Sequence, residues 1–323
     1  MIVYIKIILS MEVILSELNN LKITTDPVLY DLVNEYLNSK DVQENSKELY
    51  RRTLKQYFSW IDEKKYHLSE ITRAQVLEYK KDLISHGKSS LTIGSYINSV
   101  RCLYEWTEAN KYYPNVAKGV KTPRRKHEFR KMPLKPDQVS TLLSYFEGKN
   151  LRDYAIASLM LRTGLRTIEV VRANVGDFTY LDGQRILKVH GKGTVDKDDF
   201  VIITDKTYPP ILSYLKERGD VSPSSPLFVS TSNQNRGEGI TTKTISAIMK
   251  AGLRAIGLDS SMYTAHSLRH TGATNILMET GDLEQVRQFC RHTNPATTLT
   301  YTATVKNFNR LKNSGESVLD RLY

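Results

Sequence analysis

Cysteine is nearly missing from this 323-residue chain, which holds only Cys102 and Cys290, far apart and each inside a helix-like stretch. No disulfide framework and no C-x-x-C metal pair can be built from them, which fits a reducing cytoplasm. Long unbroken apolar runs are also lacking. The stretch 1–16 is apolar, but Lys6 and Glu12 interrupt it, and it has neither a basic start nor a small-residue cleavage site. It therefore reads as neither a signal peptide nor a membrane span. Internal repeats and low-complexity tracts are absent as well. Acidic residues are the minority, 35 against 46 Lys and Arg, which leaves a formal charge of +11. Such an excess on a folded chain suits a polyanionic partner, most simply nucleic acid. Charge alone does not separate that case from a basic protein that binds none.

What is present points to packed cores. Apolar residues make up 40% and charged residues 25%, close to soluble globular averages, and the length allows two domains. Four helical patterns fill residues 26 to about 113. Asp26 and Pro27 read as cap and first helical position, ahead of Leu29, Leu32, Val33, Tyr36 and Leu37. After Ser46, the residues Tyr50, Leu54, Tyr57 and Ile61 recur at helical spacing, with Arg51, Arg52 and Lys55 on the remaining surface. Thr72 and Gln75 form a capping-box pattern before the third helix, which Gly87 closes. Ile93, Ile97, Val100, Leu103 and Tyr104 mark the fourth. The stretch 121–131 then loses all apolar periodicity and carries Arg124, Arg125, Lys126 and Arg130. It reads as an exposed basic linker, able to follow a phosphate backbone through counterion release or to be merely soluble.

From Met132 the pattern is mixed α and β: helices near 136–146 and 150–162, a hairpin pairing Arg185–His190 with Asp199–Thr204, and helices near 208–218, 241–256, 266–280 and 283–290. A terminal helix is expected within 305–323. Three segments here carry chemistry. In Thr163-Gly164-Leu165-Arg166-Thr167-Ile168-Glu169, one helix stops at a glycine and another begins. Arg166 at that junction can present its fork of donors to an anion beside a helix N-terminus. Glu169, one turn later, can hold the guanidinium, although such a pair is often only a structural salt bridge. In His266-Ser267-Leu268-Arg269-His270, a proton carrier and a cation stand three residues apart on one helix face, which suits phosphoryl transfer. The third segment runs from Arg291-His292-Thr293 to Thr300-Tyr301. Each pattern alone is common.

Taken in order, these residues resemble the catalytic set of the tyrosine recombinase (phage integrase) family: Thr-Gly-x-Arg-x-x-Glu, a Lys in a β-hairpin, His-x-x-Arg-His, a second His, and a Tyr nine residues beyond it. The corresponding residues are Thr163 to Glu169, Lys192, His266 to His270, His292 and Tyr301. The resemblance implies two domains. The first is an N-terminal all-α, four-helix core-binding (SAM-like) domain over 26–120, after an extension 1–25. The second is a mixed α+β catalytic domain over 132–323 with a small antiparallel sheet, joined through the linker 121–131. It also implies that Tyr301 attacks a DNA phosphate to form a 3′-phosphotyrosyl link. Phenol ionisation at neutral pH costs about 4 kcal/mol, so His266 as proton acceptor lowers that cost. Arg166 and Arg269 take up the charge on the phosphate, Lys192 protonates the departing 5′-oxygen, His292 adds a hydrogen bond, and Glu169 orders Arg166. No metal and no other cofactor is required. Lys188 and Lys197 flank the same hairpin as Lys192 and are alternatives to it.

The function so implied is site-specific recombination of double-stranded DNA by a homo-oligomer, a tetramer on two sites, in the cytoplasm and away from membranes. Arg51, Arg52, Arg124, Arg125, Lys126 and Arg130 are the candidate backbone contacts. The extension before Asp26 is too short for a separate arm-binding domain. The alternatives are a type IB topoisomerase-like relaxing enzyme and a catalytically silent DNA-binding protein. One departure stands out. Many family members carry Leu-Gly before the second His, where this chain has Cys290-Arg291, an arginine that either alters the turn or contacts DNA.

Overall fold

The computed structural model describes residues 27–124, 131–190, 196–219, 221–312 and 314–323. Two compact units emerge, Met1–His127 and Glu128–Tyr323.

The first unit contains α1 (Pro27–Asn38), α2 (Glu44–Glu63), α3 (Arg73–Ser85) and α4 (Ser90–Ala109). Asp26, expected as the cap of α1, lies outside the described residues. The second helix starts at Glu44 rather than after Ser46, and its acidic first turn suits the positive end of the helix dipole. The capping box of α3 forms as expected: Thr72 Oγ1 accepts from the Ala74 N–H at 3.2 Å, and Gln75 Oε1 accepts from the Thr72 N–H at 2.9 Å. One face of α2 buries Leu54, Tyr57, Trp60 and Ile61. Tyr57 packs 4.9 Å from the Tyr79 ring and places its hydroxyl 3.0 Å from that of Tyr104, so aromatic side chains tie α2 to α3 and α4. On the outer face of α2, Arg52 and Lys55 are exposed, while Arg51 pairs with Glu48. Arg124 is exposed in a stretch without regular structure; Arg125, Lys126 and Arg130 lie outside the described residues.

The second unit contains α5 (Pro136–Glu147), α6 (Leu151–Thr163), α7 (Thr167–Val171), β1 (Phe178–Leu181), β2 (Gln184–Val189), β3 (Asp199–Ile202), α8 (Tyr208–Arg218), α9 (Thr242–Ala255), α10 (Ala265–Thr280), α11 (Leu283–Cys290), α12 (Pro295–Lys312) and α13 (Gly315–Leu322). Helix α6 runs through the core and buries Ala155, Ile156, Ala157, Leu159 and Met160 on successive turns. The sheet is antiparallel in the order β1-β2-β3, with Leu187 opposite Val201 and Ile186 opposite Ile202. Strand β1 was not among the expected elements. Its turn to β2 uses Asp182 and Gly183, both at positive φ (46° and 74°), the backbone that a two-residue hairpin loop demands. Asp-Gly is thus a legible hairpin signal ahead of the expected one.

The expected terminal helix is also corrected. Its first part belongs to α12, which begins at Pro295 and carries Tyr301, and the chain restarts at α13 behind a Ser314 cap. Thr297, Thr298, Thr300 and Thr302 hide α12, because β-branched residues are modest helix formers and mask its periodicity. Among the described residues, no helix is long and apolar enough to cross a membrane.

Candidate active site

The site forms where the C-terminal ends of α6 and α11 meet, beside the N-terminal half of α10. Helix α6 ends at Gly164 in the left-handed region (φ 62°). A Cβ there would stand 2.6 Å from the Phe289 ring, and one at Gly272 on α10 would stand 2.6 Å from the same ring. Two glycines therefore let Phe289 draw α6, α10 and α11 together. Helix C-termini leave carbonyls without intrahelical donors and carry partial negative charge, so two such ends meeting require cations. Arg269, 1% exposed, supplies one by donating to the carbonyls of Gly164 and Cys290. Arg291 supplies the other, donating to Thr163 at 3.3 Å and Phe289 at 3.1 Å.

Arg166 caps α7, as the glycine-then-helix pattern suggests. Its Nη1 donates to Glu169 Oε1 at 2.7 Å, and its backbone N–H donates to Glu169 Oε2 at 2.6 Å. Glu169 is buried, and burial alone would raise its carboxyl. Arg291 and then Arg166 outweigh that and hold the carboxyl below its usual range. Part of the Arg166 guanidinium remains accessible, at 27% side-chain exposure. It lines a cavity of about 710 Å³ together with His266, Lys250 and Thr264.

His266 is exposed and lines the same cavity as Arg166. Desolvation by the protein around its ring, then the Arg269 and Arg166 guanidiniums, push its imidazole below the ordinary value. His270 follows, its ring 5.0 Å from His266 and 5.1 Å from Tyr301. His292 is buried, with Nδ1 3.0 Å from Thr298 Oγ1 and its ring stacked 6.2 Å from Tyr301. Burial pushes both imidazoles down to about 4, aided for His270 by His266 and Arg269 and for His292 by Arg269 and Arg166.

Tyr301 is 3% exposed, and its hydroxyl lies 3.6 Å from the Cys290 thiol. Burial first, and Cys290 next, raise the phenol well above its ordinary value, while Arg269 opposes them. The structure thus brings Arg166, Glu169, His266, Arg269, His292 and Tyr301 into one neighbourhood. Lys192 lies outside the described residues. Of the lysines flanking that hairpin, Lys197 is engaged with Asp177, and Lys188 is exposed on β2.

Residues 133–307 match the phage integrase family, and residues 29–113 match its N-terminal SAM-like domain. The chain belongs to the phage integrase family. Among relatives of this integrase-family chain, tyrosine recombinase XerD of Staphylococcus epidermidis is 29% identical, over 84% of this chain and 93% of its own. The tyrosine recombinase of Thermosipho africanus is 26% identical, over the same shares of each. The fold is similar to that of the XerH site-specific recombinase in its post-cleavage complex with palindromic difH substrate, at TM-score 0.70 and 17% identity, over 95% of this chain and 94% of that one. It is also similar to a lambda integrase (75–356) dimer bound to a COC′ core site, at TM-score 0.65 and 17% identity, over 83% of this chain and 96% of that one.

Within this integrase-family site, Arg291 keeps the turn before His292. It adopts the left-handed conformation itself (φ 49°), and its side chain points inward to Glu169 rather than out towards a DNA partner. Nothing in the sequence marks Asp199 as a neighbour of Arg291, or Cys290 as the seat of the Tyr301 hydroxyl. His270 falls within the His-x-x-Arg-His motif, and its place between His266 and Tyr301 shows only in three dimensions.

Proposed function

We propose that the protein is a site-specific DNA recombinase that cuts and rejoins double-stranded DNA through a phosphotyrosyl intermediate. The observation that carries this reading is the gathering of two arginines, three histidines and Tyr301 in one neighbourhood of an integrase-family fold. Arg166 and Arg269 bind the non-bridging oxygens of the scissile phosphate, where losing one such donor costs roughly 10²–10³ in rate. The Tyr301 oxygen forms the bond to phosphorus as the bond to the 5′-oxygen breaks. His266 receives the phenol proton, and Lys192 delivers one to the departing 5′-oxygen. His292 donates to the phosphate, and Glu169 fixes Arg166. Because the phosphotyrosyl bond keeps the energy of the broken linkage, rejoining needs no nucleotide cofactor.

Residues 26–120 act as the DNA-gripping domain, with Arg51 and Arg52 on α2, and residues 121–131 follow the backbone through Arg124, Arg125, Lys126 and Arg130. Four subunits assemble on two DNA sites. Helix α13 supports this with Val318, Leu319 and Leu322 at 45%, 55% and 67% exposure, an apolar strip available to a neighbouring subunit. The protein acts in the cytoplasm.

The test is trapping on nicked suicide duplexes, selected from a random-sequence library for retention by the protein and resolved on a denaturing gel. Wild type should give a shifted covalent band, and Tyr301→Phe should bind the same duplexes without one. A band that persists in Tyr301→Phe overturns the nucleophile assignment. Tight binding with no band across the selected pool overturns catalysis itself.

A further inference from the structure

Arg291 occupies a place where an arginine is costly. The residue that closes α11 sits at φ 49° and ψ 51°, a left-handed cap that favours glycine because a Cβ is strained there. Its long side chain is nevertheless 6% exposed, turned into the protein and spread over partners from several elements. Nη2 donates to Glu169 Oε2 at 2.8 Å, and Nη1 donates to the carbonyls of Thr163 and Phe289. Nε faces the Asp199 carboxylate at 3.7 Å and has no hydrogen-bond acceptor of its own. Glu169 in turn holds both the side chain and the backbone of Arg166. Asp199 is the first residue of β3, opposite Val189, the last of β2, so it stands at the end of the β2–β3 hairpin. Arg291 also immediately precedes His292. One guanidinium thus touches the holder of Arg166, the end of the β2–β3 hairpin and the turn before His292.

We propose that Arg291 is a positioning residue for DNA cleavage: it fixes Arg166 through Glu169 and anchors the end of the β2–β3 hairpin through Asp199. The proposal rests on the recombinase reading above. Arg291 reaches the phosphate only through these intermediaries, so its loss slows the chemical step and leaves DNA affinity untouched. A displacement of about 1 Å at a reacting group can cost on the order of 10²-fold in rate. Loss of Arg291 should therefore slow cleavage by on the order of 10- to 100-fold.

The experiment is single-turnover cleavage of a selected nicked duplex at increasing protein concentration, which separates the maximal rate from the half-saturation point. Arg291→Gly relieves the left-handed strain but removes the donor to the Thr163 and Phe289 carbonyls, so its fold is checked first by circular dichroism. It should lose maximal rate as stated, with half-saturation unchanged. Arg291→Lys keeps a cation near Glu169 but cannot span every partner, and should recover part of the lost rate. Asp199→Asn, at a half-exposed carboxylate away from the core, cuts the hairpin end of the bridge alone and should give a smaller loss of the same kind; it keeps the test alive if Arg291→Gly unfolds. Wild-type rates in folded Arg291→Gly, or in Asp199→Asn where Arg291→Gly does not fold, overturn the proposal. So does a loss confined to half-saturation, or one that Arg291→Lys does not recover at all. If wild type itself forms no covalent complex, the recombinase reading falls, and this inference with it.

Discussion

The Tyr301 hydroxyl rests 3.6 Å from the Cys290 thiol, in a pocket closed to solvent. For Tyr301 to act in the role proposed, α12 must move relative to α11, because a side chain only 3% exposed leaves no room for a DNA backbone. The raised phenol follows from the same burial. Thiol accessibility then reports the position of Tyr301. In a Cys102→Ser background, Cys290 should resist a maleimide in the intact chain. Tyr301→Ala should speed labelling on the order of 10-fold by opening the pocket. Fast labelling of the intact chain, read by mass spectrometry, would show that Tyr301 is not seated against the thiol.

Glycines at positive φ divide into those with space and those without. Gly87 and Gly164 lie at φ 65° and 62°, but a Cβ at Gly87 meets nothing while one at Gly164 strikes Phe289. Gly87→Ala should cost about 1 kcal/mol, the left-handed penalty alone. Gly164→Ala adds overpacking and should cost about 2–4 kcal/mol. Equal losses in urea unfolding would contradict the close approach of Phe289.

Acid should destabilise the second unit in a defined window. The unfolded chain protonates His270 and His292 near about 6.5, whereas in the folded chain burial and neighbouring cations bring both to about 4. Between those values the unfolded state binds more protons, so stability rises with pH there. It is fully present above about 6.5 and is lost as pH falls towards 4. Tm should fall through that window, and His292→Gln should flatten the slope. A Tm that stays level would remove the case for buried neutral imidazoles.

DNA affinity should fall by orders of magnitude as salt rises from about 50 to 200 mM if several phosphates are contacted. Replacing Arg52 and Arg124 with alanine should make that dependence shallower, as read by fluorescence anisotropy. A slope unchanged by both substitutions would move the phosphate contacts to other residues.

Much of this architecture is legible in the sequence, and the gaps have physical causes. The helices of the first unit, the hairpin and the motif order show directly, because apolar spacing and cap residues act locally. Strand β1 escapes because it is only four residues long with weak alternation, although Asp182-Gly183 marks its turn. The helix carrying Tyr301 escapes because threonines blur its period. Pairings such as Arg269 with the Gly164 carbonyl, 105 residues apart, leave no local trace at all. The sequence supplies the chemical groups of the site, and packing around Phe289 decides which of them meet.

That long-range knot has a consequence for how the protein is made. The ribosome releases Arg166 first, then Arg269, and Tyr301 last of the three. Arg269 can grip the end of α11 only after Cys290 has emerged, and α12 with the proposed nucleophile comes later still. A chain cut short before α12 keeps most of the basic excess but lacks Tyr301.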